Sequence, residues 1–462
     1  MTYQFHNYLA ILTLLFIPLF TAGFYVPISY AAPESANSGR VIIRDSEIEK
    51  NITNWTTGVI GAAGMRPNQV NIILVQSPEV NAFVAGGANI FLYTGLIDLS
   101  DDVGQVVGVI AHEVGHIAGG HLSRTADVGK NASFEAMLGA LVGIGAAIAT
   151  GDSSAAAAGI SIGQGQAMNK FLAFSRVQES SADQAGFRFL TSAGLSPTGL
   201  PGFLEKLSSQ ELLPASQQSP FVRTHPLSRD RVEALQHKVN ESSLRTKAFP
   251  AEWDQQYARV KAKLLGFTSP LQVTYKYPSS DQSIPAQYAR AISSYRLNQI
   301  TPALEKVDSL IAQEPKNPYF YELKGQILFE FGKAALSVAP YEKAVLYAPD
   351  SGLIRMALAQ SLIESSGQNV AKLQSAIDHL KRAEKDEPRS PQIKRLLATA
   401  YGRMGKEPEA RVYLAEEALM RGNRKDAFRM ADAALKQLPG NSPEALRAKD
   451  IINTVGEVDK NK

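Results

Sequence analysis

Residues 112–116 read His112-Glu113-Val114-Gly115-His116. On an α-helix, positions four apart are turned about 400° from one another, so both imidazoles project from one face and can share one ion. Glu113 stands beside them, close enough to take a proton from a metal-activated water without being a ligand. Two helical histidines on a solvated surface are the plain alternative. Against it, the flanking positions carry Val107, Val109, Ile110, Val114 and Ile117, which places the pair on or in a core, where unligated imidazoles would be costly. The stretch from Val103 to His121 is expected to be one helix, with Asp101 and Asp102 available as caps and Gly119-Gly120 weakening its far end. The expected ion is zinc, one per chain.

The chain has no cysteine. A disulfide scaffold, a thiolate zinc site, a cysteine nucleophile and a lipidated N-terminal cysteine are thereby excluded, and any metal must be held by His and carboxylates. A catalytic zinc needs a third protein ligand and an open fourth position. A metzincin has its third His six residues after the second, but Leu122 occupies that position here. His121 is turned about 140° from the ligand face of a continuing helix, and is expected behind a ligand or at the surface. Glu179 is the better third ligand. It lies in Ser175-Arg176-Val177-Gln178-Glu179-Ser180-Ser181-Ala182-Asp183, where Glu179 and Asp183 share one helix face. One carboxylate can bind the metal while the other orients a ligating imidazole. A solvated acidic helix face is the bland reading of that segment alone.

His-Glu-x-x-His followed by Glu-x-x-Ala-Asp resembles the gluzincin peptidases related to the CAAX prenyl endopeptidase and the heat-shock membrane protease. Asn81-Ala82-Phe83 with Gly86-Gly87 and Thr94-Gly95-Leu96 resembles the family's substrate-binding edge strand. Ser175-Arg176 and Thr224-His225-Pro226 with Arg231 also match its pattern. The resemblance covers about residues 40 to 240. It implies His112, His116 and Glu179 as zinc ligands, Glu113 as general base, and Asp183 and His225 as further site residues. His225 is then either a donor to the tetrahedral intermediate or a fourth ligand that closes the site. The peptide would lie as an added strand along the 83 to 93 edge.

Away from the motif, Val70-Asn71-Ile72-Ile73-Leu74-Val75 reads as a strand, and Gly86-Gly87 between two apolar stretches suggests a hairpin. The segment from Met137 to Gln166 is rich in Gly and Ala. It reads equally as a tight helical hairpin or a mobile covering loop. Beyond the bridge from Tyr275 to Pro285, small residues and prolines recur: Gly325 follows Ala291 by 34 positions, and Pro349 follows Pro315 by 34. That is the period of a tetratricopeptide repeat. Pro349 to Pro388 is 39 positions, so an insertion is expected around Glu364 to Ala371. The expected fold class is α+β: a mainly helical metallopeptidase domain with a small β-sheet (40–270), then an all-α tetratricopeptide-repeat solenoid (285–455).

Leu9 to Phe20 is nearly unbroken apolar sequence, and Ser29-Tyr30-Ala31-Ala32 supplies small residues for cleavage. Residues 1–32 are read as a signal peptide or a retained anchor, and the bulk of the chain as periplasmic. The 47 basic and 44 acidic residues nearly balance, which argues against nucleic acid as a partner. The reading is a zinc-dependent endopeptidase of protein or peptide substrates. The resemblance implies misfolded outer-membrane proteins and the β-barrel assembly machinery as partners through the repeats, with peripheral membrane contact. The alternative is a chaperone or scaffold whose zinc site is mostly closed.

Overall fold

A computed structural model describes residues 41–121, 176–214 and 216–459 of the chain. The expected export segment and the Gly/Ala-rich stretch at 137–166 lie outside the described residues. Four strands form one sheet: β1 (Val41–Ile43), β2 (Asn71–Gln76), β3 (Ala82–Ala85) and β4 (Asn89–Tyr93). Their order is β1-β2-β4-β3, with β2 and β4 parallel and the outer pairs antiparallel. The expected hairpin is β3–β4, and Gly86 and Gly87 both take positive φ at its turn. β3 is therefore an edge strand. Thr94 closes β4 by accepting from the Ser77 backbone N–H at 3.0 Å and donating to the Ser77 carbonyl at 2.8 Å.

The helices ahead of the repeats are α1 (Ser46–Ala62), α2 (Thr94–Leu99), α3 (Val103–Ala118), α4 (Arg176–Ser192), α5 (Gly199–Leu207), α6 (Pro220–Thr224), α7 (Arg229–Glu241), α8 (Ala251–Thr268) and α9 (Val273–Lys276). α3 starts where the sequence suggests. Asp102, not Asp101, is the cap, accepting from Gln105 N–H at 2.9 Å. From Val103 to His116 every residue of α3 is buried. A helix buried on all sides belongs at a domain's centre, and each fully buried Val or Ile there contributes about 1.5–3 kcal/mol. The helix ends at Ala118 rather than running on to His121.

Ten helices follow: α10 (Ile284–Arg296), α11 (Ile300–Gln313), α12 (Pro318–Glu330), α13 (Ala334–Tyr347), α14 (Gly352–Glu364), α15 (Val370–Asp386), α16 (Pro391–Arg403), α17 (Glu407–Met420), α18 (Arg424–Leu435) and α19 (Pro443–Asp459). α10, α12 and α14 begin at 284, 318 and 352, which reproduces the period read from small residues and prolines. The expected insertion is a longer turn after Glu364 and a longer α15. Ala427, Ala431 and Ala434 are buried along α18. Among the described residues no helix is long and apolar enough to cross a membrane.

The repeats dock directly on the helices that precede them. Ala262 of α8, Val273 of α9 and Ala289 of α10 form one buried cluster. Beside it, Lys263 Nζ lies 2.8 Å from Asp45 Oδ2 and 3.4 Å from Glu47 Oε2, while Tyr288 donates to Glu47 at 3.1 Å. Further along, Arg44 Nη2 reaches Glu387 Oε1, just past α15, at 2.7 Å.

Candidate metal centre

Three elements converge on one point. α3 carries His112, Glu113 and His116, α4 carries Glu179 and Asp183, and the turn after α6 carries His225. α4 can approach because α3 has glycine at its crossing. A Cβ on Gly115 would stand 2.7 Å from the Ala182 carbonyl oxygen and 3.0 Å from its Cα. Any other residue would push α4 away and carry Glu179 and Asp183 with it.

His112, His116, Glu179 and His225 are each wholly buried, and one donor atom from each lies within 4.8 Å of the others. His112 Nε2 is 3.0 Å from His116 Nε2 and 3.3 Å from His225 Nδ1. Glu179 oxygens lie 3.4, 3.3 and 3.1 Å from His112 Nε2, His116 Nε2 and His225 Nδ1. The backs of two rings fix which atoms face inward. His112 Nδ1 donates to Asp183 Oδ1 at 2.9 Å, and His225 Nε2 donates to the Ala82 carbonyl at 3.2 Å. Both rings therefore turn lone pairs toward Glu179. Lone pairs crowded at these distances need a shared positive charge, so the residues fit a cation bound by nitrogen and oxygen.

The electrostatics agree. Burial opposes charge on His112, but hydrogen bonds to Asp183 and Glu179 outweigh it and push the ring up to about 10. Burial, reinforced by His112, holds His116 down to about 3. Burial also opposes charge on Glu179, yet His225 and Arg231 hold its carboxyl well below the usual range. The centre thus favours positive charge between His112 and Glu179, a charge that a bound cation would supply in place of a proton. Glu113 is different. Its buried oxygens have no hydrogen-bond partner among the described residues, His225 Nε2 stands 3.4 Å away, and burial raises its carboxyl. A raised, unpartnered carboxylate beside the donors is suited to accept a proton.

The structure brings all six expected site residues together. Two more belong to the cluster. Arg231 of α7 pairs with Asp183 through Nε, stands 2.7 Å from Glu179 Oε2 and donates to the Pro226 carbonyl at 3.0 Å. The sequence marks Arg231 only as part of a pattern; nothing local says that it spans two carboxylates. His121 is buried with Nδ1 2.9 Å from His116 Nδ1, so of its two expected places it takes the one behind a histidine of the cluster.

The profile of peptidase family M48 matches residues 46–239, and a tetratricopeptide-repeat profile matches residues 286–436. The chain is 25% identical over 413 residues to the Beta-barrel assembly-enhancing protease of Yersinia pestis, covering 87% of this chain and 82% of that one. Against the Escherichia coli (strain K12) protein of the same name it is 27% identical over 295 residues, 62% of this chain and 59% of that one. With Metalloprotease LoiP of Escherichia coli (strain K12) it shares 29% over 222 residues, 46% of this chain and 80% of that one. Donor set, helix-borne motif and relatives agree: the chain is a zinc metalloendopeptidase whose residues 46–239 match peptidase family M48, with tetratricopeptide repeats behind them.

Proposed function

We propose that His112, His116 and Glu179 hold zinc, that Glu113 is the general base, and that Asp183 orients His112. Four donors within 4.8 Å beside the unpartnered Glu113 carry this reading. When bound, zinc supplies a Lewis acid and a water acidic enough to attack near neutral pH. Glu113 takes the proton from that water and delivers it to the leaving amine. Buried Arg231 keeps Glu179 and Asp183 ionised through the cycle. The substrate backbone pairs with edge strand β3, whose Ala82 carbonyl stands beside the donors.

His225 is the fourth donor of a resting site. Its Nε2–H is spent on Ala82 and its Nδ1 faces Glu179, a geometry that supports closure over a role as transition-state donor. Opening the site then frees the Ala82 carbonyl for a substrate strand in the same movement. This supports a second reading, in which a mostly closed protein serves as chaperone or scaffold through its repeats.

The protein acts in the periplasm, exported by residues 1–32, on outer-membrane proteins during β-barrel assembly. The names of its relatives support the link to β-barrel assembly, and the apolar run from Leu9 to Phe20 supports export. Residues 40–270 form the catalytic domain and 285–455 the domain that receives clients or the assembly machinery. A pull-down from envelope extract with Glu113→Gln is expected to hold uncut outer-membrane proteins. Recovery of no such client, with wild type and variant equally inactive on a casein substrate, would sink the protease reading.

A further inference from the structure

His121 is the buried histidine of this region outside the donor set. Two features seat it. Gly120 takes φ +62, a conformation that side chains rarely adopt, just past the end of α3 at Ala118. A Cβ on Gly119 would stand 2.5 Å from His121 Nε2 and 2.9 Å from Cδ2 and Cε1. The imidazole thus fills space that any residue but glycine would take. Its ring meets His116 edge to face, with centroids 5.0 Å apart and planes at 78°.

Two ring nitrogens 2.9 Å apart share one proton. The identity of the donor follows from the other side of His116, whose Nε2 lies 3.0 Å from His112 Nε2 and 3.3 Å from Glu179. A neutral ring that offers Nε2 as a lone pair carries its proton on Nδ1. His116 is therefore the donor and His121 Nδ1 the acceptor. We infer that His121 is a positioning residue of the zinc centre, which fixes the tautomer and orientation of His116 by accepting its Nδ1–H. It does for His116 what Asp183 does for His112, with a neutral imidazole in place of a carboxylate. Partners of this kind behind a ligating histidine typically change metal affinity by roughly 10- to 100-fold. The inference rests on the ligand assignment proposed above.

The test is zinc affinity of the full chain, by competition with a chromophoric chelator, alongside urea unfolding of the zinc-free protein. His121→Leu fills the space without an acceptor, and His121→Asn places Oδ1 near the lost nitrogen. His121→Leu is expected to weaken zinc binding roughly tenfold or more, and His121→Asn to recover most of that loss. Wild-type affinity in His121→Leu overturns the inference, whatever happens to zinc-free stability, and so does equal weakening in both variants. His116→Ala is the control. If it binds zinc like wild type, the ligand assignment itself fails; if it loses zinc while His121→Leu does not, only the role of His121 falls. Should the variants not fold, long-range nitrogen–proton NMR of the histidine-labelled, zinc-loaded wild type decides. A proton on His121 Nε2 is expected, and one on Nδ1 overturns the assignment.

Discussion

Arg231 Nη1 stands 2.7 Å from Glu179 Oε2, so the carboxylate that three histidines face is also held by a buried cation from α7. The same guanidinium reaches Asp183 and the Pro226 carbonyl. One side chain therefore ties the third donor, the partner of His112 and the turn bearing His225.

Removing that cation leaves two buried carboxylates uncompensated. Arg231→Leu is expected to cost about 3–5 kcal/mol of stability, with a greater loss after chelation because zinc then no longer offsets Glu179. Arg231→Lys should recover only part, since an ammonium cannot span both carboxylates and the carbonyl. Urea unfolding with and without a chelator measures both effects. A change under about 1 kcal/mol in Arg231→Leu would contradict the tie.

His225→Ala separates two roles by sign. Removal of a fourth donor should raise basal cleavage of a casein substrate, or self-cleavage. Removal of a transition-state donor should lower the rate on the order of a hundredfold. The inward Nδ1 and the bond to Ala82 predict the rise. Unchanged activity eliminates both roles.

Glu322 of α12 gives the docking of the repeats a pH dependence. It accepts from Ser46 Oγ, and Lys263, Asp45 and Glu47 also face it. Burial, only partly opposed by Lys263, pushes its carboxyl up to about 7 from 4.5. The folded form holds this proton more tightly than the unfolded chain. Its contribution is therefore complete below pH 4.5 and lost as pH rises through about 7. Relative to Glu322→Gln, wild-type stability should fall on the order of 3 kcal/mol from acid to mildly alkaline pH. Parallel stability–pH curves for the two proteins would rule this out.

The buried cluster of Ala262, Val273 and Ala289 bears on where the repeat domain begins. A fragment of residues 280–462 should be helical by circular dichroism, because each repeat contacts mainly its neighbours. A fragment starting at Pro250 keeps α8 and should be more stable by at least about 2 kcal/mol. An unfolded shorter fragment contradicts the independence of the repeats, and equal stabilities contradict the role of α8.

The helix with His112 and His116 was legible because its period is local, and so was the repeat spacing, which returns as helix starts at 284, 318 and 352. Glu179 and Asp183 could be singled out by their shared helix face and the absence of cysteine, but His225 only through a family pattern. His225 lies 113 positions from His112, and its approach depends on packing between helices that no local period encodes. For His121 the rotation count alone leaves its place open, because it assumes a continuing helix; α3 ends at Ala118, and Gly120 takes a positive φ before His121. β1 is three residues long, too short to show an alternation. The reach of Arg231 to two carboxylates is likewise a property of the crossing of α4 and α7, absent from either segment alone.

Arg44 and Glu387 are 343 positions apart. Contacts of such long sequence separation form late, since the intervening chain must first be confined. Asp45 caps α1 locally and Lys263 of α8 pairs with it, but the brace from Arg44 forms only after the third pair of repeat helices exists. A chain that emerges from its N-terminus therefore gains this brace after the rest of its peptidase half. Synthesis order itself then acts as a timer, withholding the fully braced enzyme until the module behind it has folded.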